Sequence, residues 1–201
     1  LVYCGFAVLD VEEIKNVYCI IAEKNGDPLD EPEPSQGFFL KMPRKGQHGE
    51  EIVVYKLRTM HPYAQYIQDF VYERNNLREG GKIKNDFRIS HWGKVLRKLM
   101  IDEFPMLFNV LKGDIKLFGI RPLSSQYLSL YPEDLRERRL KYKPGFLPPY
   151  HVDNPRTFDE IIESERRYLD AYDNAPFKTD VKYFLRALYN IFFKGVSSSK
   201  E

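Results

Sequence analysis

The chain is poor in cysteine: Cys4 and Cys19 are the only two in 201 residues. Two thiols cannot build a disulfide framework or a four-thiolate zinc site, so a reducing compartment is expected. No apolar run approaches the about 18 residues of a membrane-spanning helix. Neither sign of charge dominates, with 31 Lys and Arg against 29 Asp and Glu. That balance excludes a polycation coating nucleic acid. Neither a Gly-x-x-x-x-Gly-Lys nor a Gly-x-Gly-x-x-Gly stretch occurs, so any phosphate must be held by side chains. The four histidines, His48, His61, His91 and His151, show no metal-ligand spacing. They read as turn or surface residues with no catalytic triad. The first residue is Leu1 and no signal-type leader follows, so the chain is expected to be a piece of a longer protein.

What is present is an ordinary globular composition, 43 % hydrophobic and 30 % charged, with 14 Tyr and 14 Phe to build a core. Charge is uneven along the chain. Residues 82–121 hold nine basic and four acidic residues, and residues 152–180 hold eight acidic and four basic. Leu1–Leu9 and Asn16–Glu23 read as strands joined by Asp10–Lys15, the end of an upstream unit over 1–24. Asn25–Gln36, acidic and with three prolines, reads as a linker, and the main domain then runs over 37–201.

Within it, Gly37–Met42 and Glu51–Leu57 flank a two-glycine turn and predict a hairpin. His61–Leu77 has helical spacing, and Arg78–Asp86 is a polar loop. Trp92–Met100, Glu103–Leu111, Ser124–Leu130 and Pro132–Lys141 predict helices, with Lys112-Gly113 as a stop. Ile115–Ile120 is a short strand, and the proline-rich Lys143–Pro149 is a fixed loop. Thr157–Tyr172 and Thr179–Lys194 close the chain as helices. The fold class expected is α+β, a mainly helical domain with a β-hairpin and short strands, plus an N-terminal strand pair.

The densest chemistry is Arg97-Lys98-Leu99-Met100-Ile101-Asp102-Glu103-Phe104-Pro105. Two adjacent carboxylates repel, and burying them requires cations or a metal. A carboxylate set among cations can attack phosphorus and form an acyl phosphate. The same pair also suits the start of a helix over 103–111, because Asp caps and Glu favours the first turn. Lys56, Arg58, Arg88 and Arg121 are scattered cations. Arg58 and Arg121 follow strand-like runs, where a guanidinium can fork onto phosphate or simply pair at the surface. The last helix carries Lys182, Arg186, Asn190 and Lys194 every four residues on an otherwise apolar sequence. That pattern suits core packing or a membrane interface.

The stretch Asp102-Glu103-Phe104-Pro105-Met106-Leu107-Phe108-Asn109-Val110-Leu111-Lys112-Gly113-Asp114, followed by Leu117-Phe118-Gly119-Ile120-Arg121-Pro122, resembles the core signature of the bacterial sugar transferases. These are monotopic polyprenyl-phosphate sugar-1-phosphate transferases. Tyr55-Lys56-Leu57-Arg58-Thr59-Met60, Asn85-Asp86-Phe87-Arg88-Ile89, Trp92-Gly93-Lys94-Val95-Leu96-Arg97-Lys98 and Tyr142-Lys143-Pro144-Gly145 match in the same order. After Lys143-Pro144-Gly145, the family's Ile-Thr-Gly is replaced by Phe146-Leu147-Pro148-Pro149. Upstream of the hairpin the acidic linker stands where the family's apolar re-entrant helix usually lies.

The resemblance implies transfer of a sugar-1-phosphate from a UDP-sugar to undecaprenyl phosphate with Mg2+, starting a lipid-linked glycan. Asp102 would be the nucleophile, with Glu103 assisting by positioning or, with Asp102, through Mg2+. Arg97 and Arg121 would hold phosphate oxygens, and Lys56, Arg58 and Arg88 would complete the cationic pocket. The setting implied is the cytoplasmic face of the bacterial inner membrane, peripheral or monotopic. Helices 61–77 and 180–194 are candidate membrane contacts by composition. The rival expectation is a non-catalytic member that binds nucleotide-sugar or a partner glycosyltransferase. Nucleic acid is not an expected partner.

Overall fold

The computed structural model describes residues 1–15, 17–28, 30, 37–62, 64–67, 70–71 and 86–194. Its strands form three two-stranded sheets. β1 (Phe6–Ile14) and β2 (Val17–Lys24) are antiparallel, as are β3 (Phe39–Lys45) and β4 (Glu51–Leu57). β5 (Lys116–Phe118) and β6 (Gly145–Leu147) are parallel. Helices are α1 (His91–Lys98), α2 (Met106–Lys112), α3 (Ser125–Leu128), α4 (Glu133–Leu140), α5 (Tyr150–Asp153), α6 (Phe158–Asn174) and α7 (Pro176–Lys194). The α+β class therefore holds.

Several expectations need correction. The N-terminal strand pair exists, but residues 10–14 are strand rather than connector, and the chain reverses beyond Lys15 at φ 49°. Residues 2–4 form a 3-10 turn. The segment 143–149 is not merely a loop, because Gly145–Leu147 pairs with β5. The helix expected from residue 103 begins only at Met106. Residues 64–67 form a 3-10 turn, and most of the helix expected over 61–77 lies outside the described residues, as does most of the expected linker.

The β5–β6 pairing shows how local sequence governs the fold. A Cβ on Gly145 would lie 2.1 Å from the backbone nitrogen of Gly119, so only glycine permits the two segments to touch. That contact brings Phe118 and Leu147 into the larger core with Leu135, Tyr168, Leu169 and Ala187. Phe118, Tyr168 and Tyr183 meet with ring centroids 5.3–5.5 Å apart, which joins β5 to α6 and α7. A smaller core of Val54, Met106 and Ile115 lies beneath the β3–β4 hairpin. Gly145→Ala is expected to cost at least about 3 kcal/mol, the upper range for overpacking, because the clash is with backbone. Urea unfolding should read this as a lowered midpoint.

Candidate active site

The site is assembled by one buried amide. Asn109 on α2 is fully buried. Its Oδ1 accepts from the Tyr55 backbone N–H at 3.1 Å, and its Nδ2 donates to the Val53 carbonyl at 2.7 Å and to Asp114 Oδ2 at 3.0 Å. These bonds clamp α2 to β4. They bring Lys56, the next residue of β4, opposite the turn that precedes α2.

That turn carries the carboxylates. Met100 takes a left-handed backbone, φ 57°, unusual for a side chain of its size. The reversal places Ile101–Glu103 in a 3-10 turn and tucks both acids inward. Pro105, not Asp102, occupies the N-cap of α2, and it makes no side-chain cap bond. The capping explanation of the Asp-Glu pair therefore fails.

The two acids, though adjacent, have different surroundings. Glu103 Oε1 lies 2.6 Å from Lys56 Nζ and 3.9 Å from an Arg121 terminal nitrogen. Burial pushes its pKa up, but the Lys56 and Arg121 charges override this and bring it to about 2. Glu103 is thus a permanent carboxylate. Asp102 is only 7 % exposed, and its Oδ1 is buried with no hydrogen-bond partner among the described residues. Burial and then the Glu103 charge raise its pKa above the ordinary value. A buried carboxylate oxygen without a donor is costly in isolation.

Arg97 approaches from α1. The Ser90 hydroxyl caps this helix by accepting from the Gly93 N–H at 3.0 Å. A Cβ on Gly93 would fall 1.9 Å from the Thr59 carbonyl oxygen, so glycine is required for α1 to lie against the end of the hairpin. Arg97 Nε then donates to Thr59 Oγ1 at 2.8 Å. Burial lowers the Arg97 pKa, and the Asp102 and Asp86 charges counter that. Arg121 follows β5, with its guanidinium 5.9 Å from the centre of the Tyr150 ring.

The structure therefore brings Asp102, Glu103, Lys56, Arg97 and Arg121 together. Three cations against two acids leave a net positive site suited to a diphosphate. Arg88 is placed differently. Its guanidinium grips Asp86 at 2.7 and 2.8 Å and reaches the Ala64 carbonyl at 3.3 Å, bracing the segment behind Thr59. Arg58 donates to the Gly37 carbonyl at 2.6 Å, at the open end of the hairpin.

Four neighbours escaped sequence reasoning. His151 is completely buried rather than at a turn surface, and it lies near enough to Glu103 to act on that carboxylate. Tyr150 lies beside Arg121. Arg44 on β3 is close enough to Arg121 to have its pKa lowered by burial and by that charge. Thr59 orients Arg97. The departure from the family pattern after Gly145 was the available signal for Tyr150 and His151. Nothing in the sequence marked Arg44.

A bacterial sugar transferase family model matches residues 29–194. The chain belongs to the bacterial sugar transferases. It is 36 % identical to the Bacillus subtilis uncharacterized sugar transferase EpsL over 72 % of this chain and 64 % of that protein. It is 33 % identical to the Streptococcus agalactiae galactosyl transferase CpsE, over 72 % of this chain and 32 % of that protein. It is 34 % identical to the Salmonella typhimurium undecaprenyl-phosphate galactose phosphotransferase, over 64 % of this chain and 27 % of that protein. The chain thus spans less than two thirds of each of these relatives.

Among the described residues no three His, Cys, Asp or Glu side chains form a metal cage. Mg2+ seldom needs one, since one or two carboxylates plus substrate phosphates suffice. The Oδ1 of Asp102, without a hydrogen-bond donor among the described residues and beside Glu103, fits that requirement.

Two outcomes follow for stability. Lys56→Met should cost about 3–5 kcal/mol, because it strands the buried Glu103 charge. The second concerns pH. The Glu103 pKa lies below its unfolded value of 4.5, so its stabilisation is complete above pH 4.5 and is lost as pH falls toward 2. It amounts to about 3 kcal/mol. The stability gap between wild type and Glu103→Gln, read by urea melts at several pH values, should narrow across that window.

Proposed function

We propose that this transferase moves a sugar-1-phosphate from a UDP-sugar to undecaprenyl phosphate in two displacements at Asp102. The observation that carries this reading is the contrast within the dyad. Glu103 is neutralised by Lys56, whereas Asp102 keeps a buried oxygen without a donor. A nucleophile needs an uncommitted lone pair, and the partly desolvated Asp102 supplies one.

In the first step Asp102 attacks the phosphorus that bears the sugar. The bond from that phosphorus to the bridging oxygen breaks, and UMP leaves with the electron pair. The product on the enzyme is a sugar-phosphoryl aspartate. In the second step an oxygen of undecaprenyl phosphate attacks the same phosphorus. The acyl-phosphate bond breaks, the Asp102 carboxylate is restored, and the lipid leaves as a diphosphate-linked sugar. Arg97 and Arg121 hold the phosphate oxygens as charge shifts between them. Lys56 keeps Glu103 ionised and fixed, so the dyad does not rearrange. Mg2+ held by Asp102, Glu103 and the substrate phosphates would offset the diphosphate charge.

An apolar rim supports a lipid acceptor. Trp92, Leu99, Phe104, Phe108 and Leu111 are exposed on α1, α2 and the turn between them, the elements that flank the dyad in sequence. No helix among the described residues is long and apolar enough to cross a membrane. The reading is of a peripheral or monotopic enzyme at the cytoplasmic face of the bacterial inner membrane, touching it through these side chains, the α7 helix and the 61–77 segment. The transferase unit is taken as residues 37–201, with the β1–β2 ribbon as the end of a preceding unit that touches it where the Tyr18 ring lies 5.8 Å from that of Phe87.

The test is UMP release from a panel of UDP-sugars with undecaprenyl phosphate and Mg2+ in detergent. Asp102→Asn should lower the rate about a thousandfold or more. Arg97→Ala should lower it about a hundredfold while leaving the fold intact. The acid limb of kcat/KM should lie above pH 3.8, the ordinary Asp value, since the raised Asp102 pKa delays formation of the reactive carboxylate. Retained UDP-sugar binding with no UMP release from any donor would overturn catalysis in favour of a binding role.

A further inference from the structure

The last helix presents a face that the core does not use. α7 buries Ala187 and Asn190 and packs Tyr183, Phe184, Leu188 and Ile191 against the larger core. Its other side exposes Phe177, Val181, Leu185, Tyr189, Phe192 and Phe193, with Phe192 and Phe193 each 77 % exposed. At about 100° of rotation per residue these six fall within about 160° of arc. Lys178, Lys182, Arg186 and Lys194 are exposed on the same helix. Its only acid, Asp180, is bonded to Lys116 at 2.8 Å and to Tyr168 at 2.6 Å.

Beside this face lies an open cavity of about 330 Å³, lined by Val152, Leu185, Arg186, Tyr189, Asn190 and Lys194. Arg186 and Lys194 supply its charge. Tyr189 stacks on Phe193 with ring centroids 5.1 Å apart, and Lys194 Nζ lies 5.8 Å from the Tyr189 ring centre. Asn190 ties the cavity to α5 by donating to the His151 and Val152 carbonyls at 3.1 and 3.0 Å.

A solvent-facing helix would not carry six large apolar side chains, and a core face would not carry four cations. Lys178 and Lys182 lie within the apolar arc, and Arg186 and Lys194 lie beyond its edge. Together the apolar and cationic side chains match a helix lying in the plane of an anionic bilayer, with apolar groups among acyl chains and the long cationic side chains extended to headgroup level. We propose that the α5–α7 cavity binds the phosphate of an anionic phospholipid headgroup between Arg186 and Lys194. This rests on the membrane-facing reading above and names the lipid class that it requires. The α5 contribution to the cavity wall is Val152, which follows Tyr150 and His151 on the same short helix.

The test is flotation of this chain with phosphatidylcholine vesicles, with and without phosphatidylglycerol. Binding should be much stronger with phosphatidylglycerol. Each cation near an anionic surface is worth about fivefold in partitioning, so Lys178→Ala with Lys182→Ala sets a baseline loss of about 25-fold. Arg186→Ala with Lys194→Ala removes the same charge and also the seat, and should lose about tenfold more. Thermal melts should show both pairs folded, since all four side chains are exposed. Asp102→Asn should bind vesicles like wild type, so failure of the transferase chemistry would leave this result unaffected. Equal losses from the two pairs, or binding indifferent to phosphatidylglycerol, would overturn the seat. So would a concentration-dependent dimer in sedimentation that Leu185→Glu abolishes without any vesicle binding, which would assign the face to a second copy.

Discussion

The buried contact between Lys56 and Glu103 is the constraint on which the site depends. A carboxylate 4 % exposed cannot remain charged unless a cation is brought to it. The cation comes from β4, whose position is set by the Asn109 clamp. The Glu103 turn is set by the left-handed Met100 and the short α2 that follows. Misplacing either element by one residue would strand a charge. Stability of the hairpin–helix unit and preorganisation of the dyad are therefore one requirement.

The same pair separates the roles of two chemically similar acids. Lys56 and Arg121 take up the Glu103 charge, and Asp102 is left with a buried oxygen that has no donor among the described residues. Neighbouring carboxylates whose environments push their pKa values in opposite directions are a recurring sign of divided function. Around them the cations fall into two groups. Arg97 and Arg121 reach the dyad, whereas Arg88 spends its guanidinium on Asp86 and thereby supports the segment carrying Thr59.

The larger core connects this chemistry to the far end of the chain. β5 and β6 can touch only because Gly145 meets Gly119 without a Cβ. Arg121 emerges just beyond one strand, and Tyr150 and His151 follow the other. Asn190 on α7 then holds the backbone of α5. Apolar packing and a few buried amide bonds thus carry the exposed face of α7 to within one helix of the dyad.

The amino-acid sequence by itself determined the α+β class, the β3–β4 hairpin and most helices, and its resemblance to a family pointed to Asp102, Glu103, Lys56, Arg58, Arg88, Arg97 and Arg121 as candidates. These are legible because period, turn residues and an unbroken motif are local properties of the chain. Element edges followed less well. Residues 10–14 look like a connector until cross-strand pairing shows them extended, and Gly145–Leu147 is a strand only because β5 lies beside it. Only the tertiary structure decided what each charged group does. Glu103 is pinned and Asp102 left without a donor at its Oδ1 because of which side chains lie opposite them. Arg88 is structural in its contacts, and His151 is buried, for the same reason. Burial and partner choice depend on residues dozens of positions apart, and no spacing rule along the chain contains them.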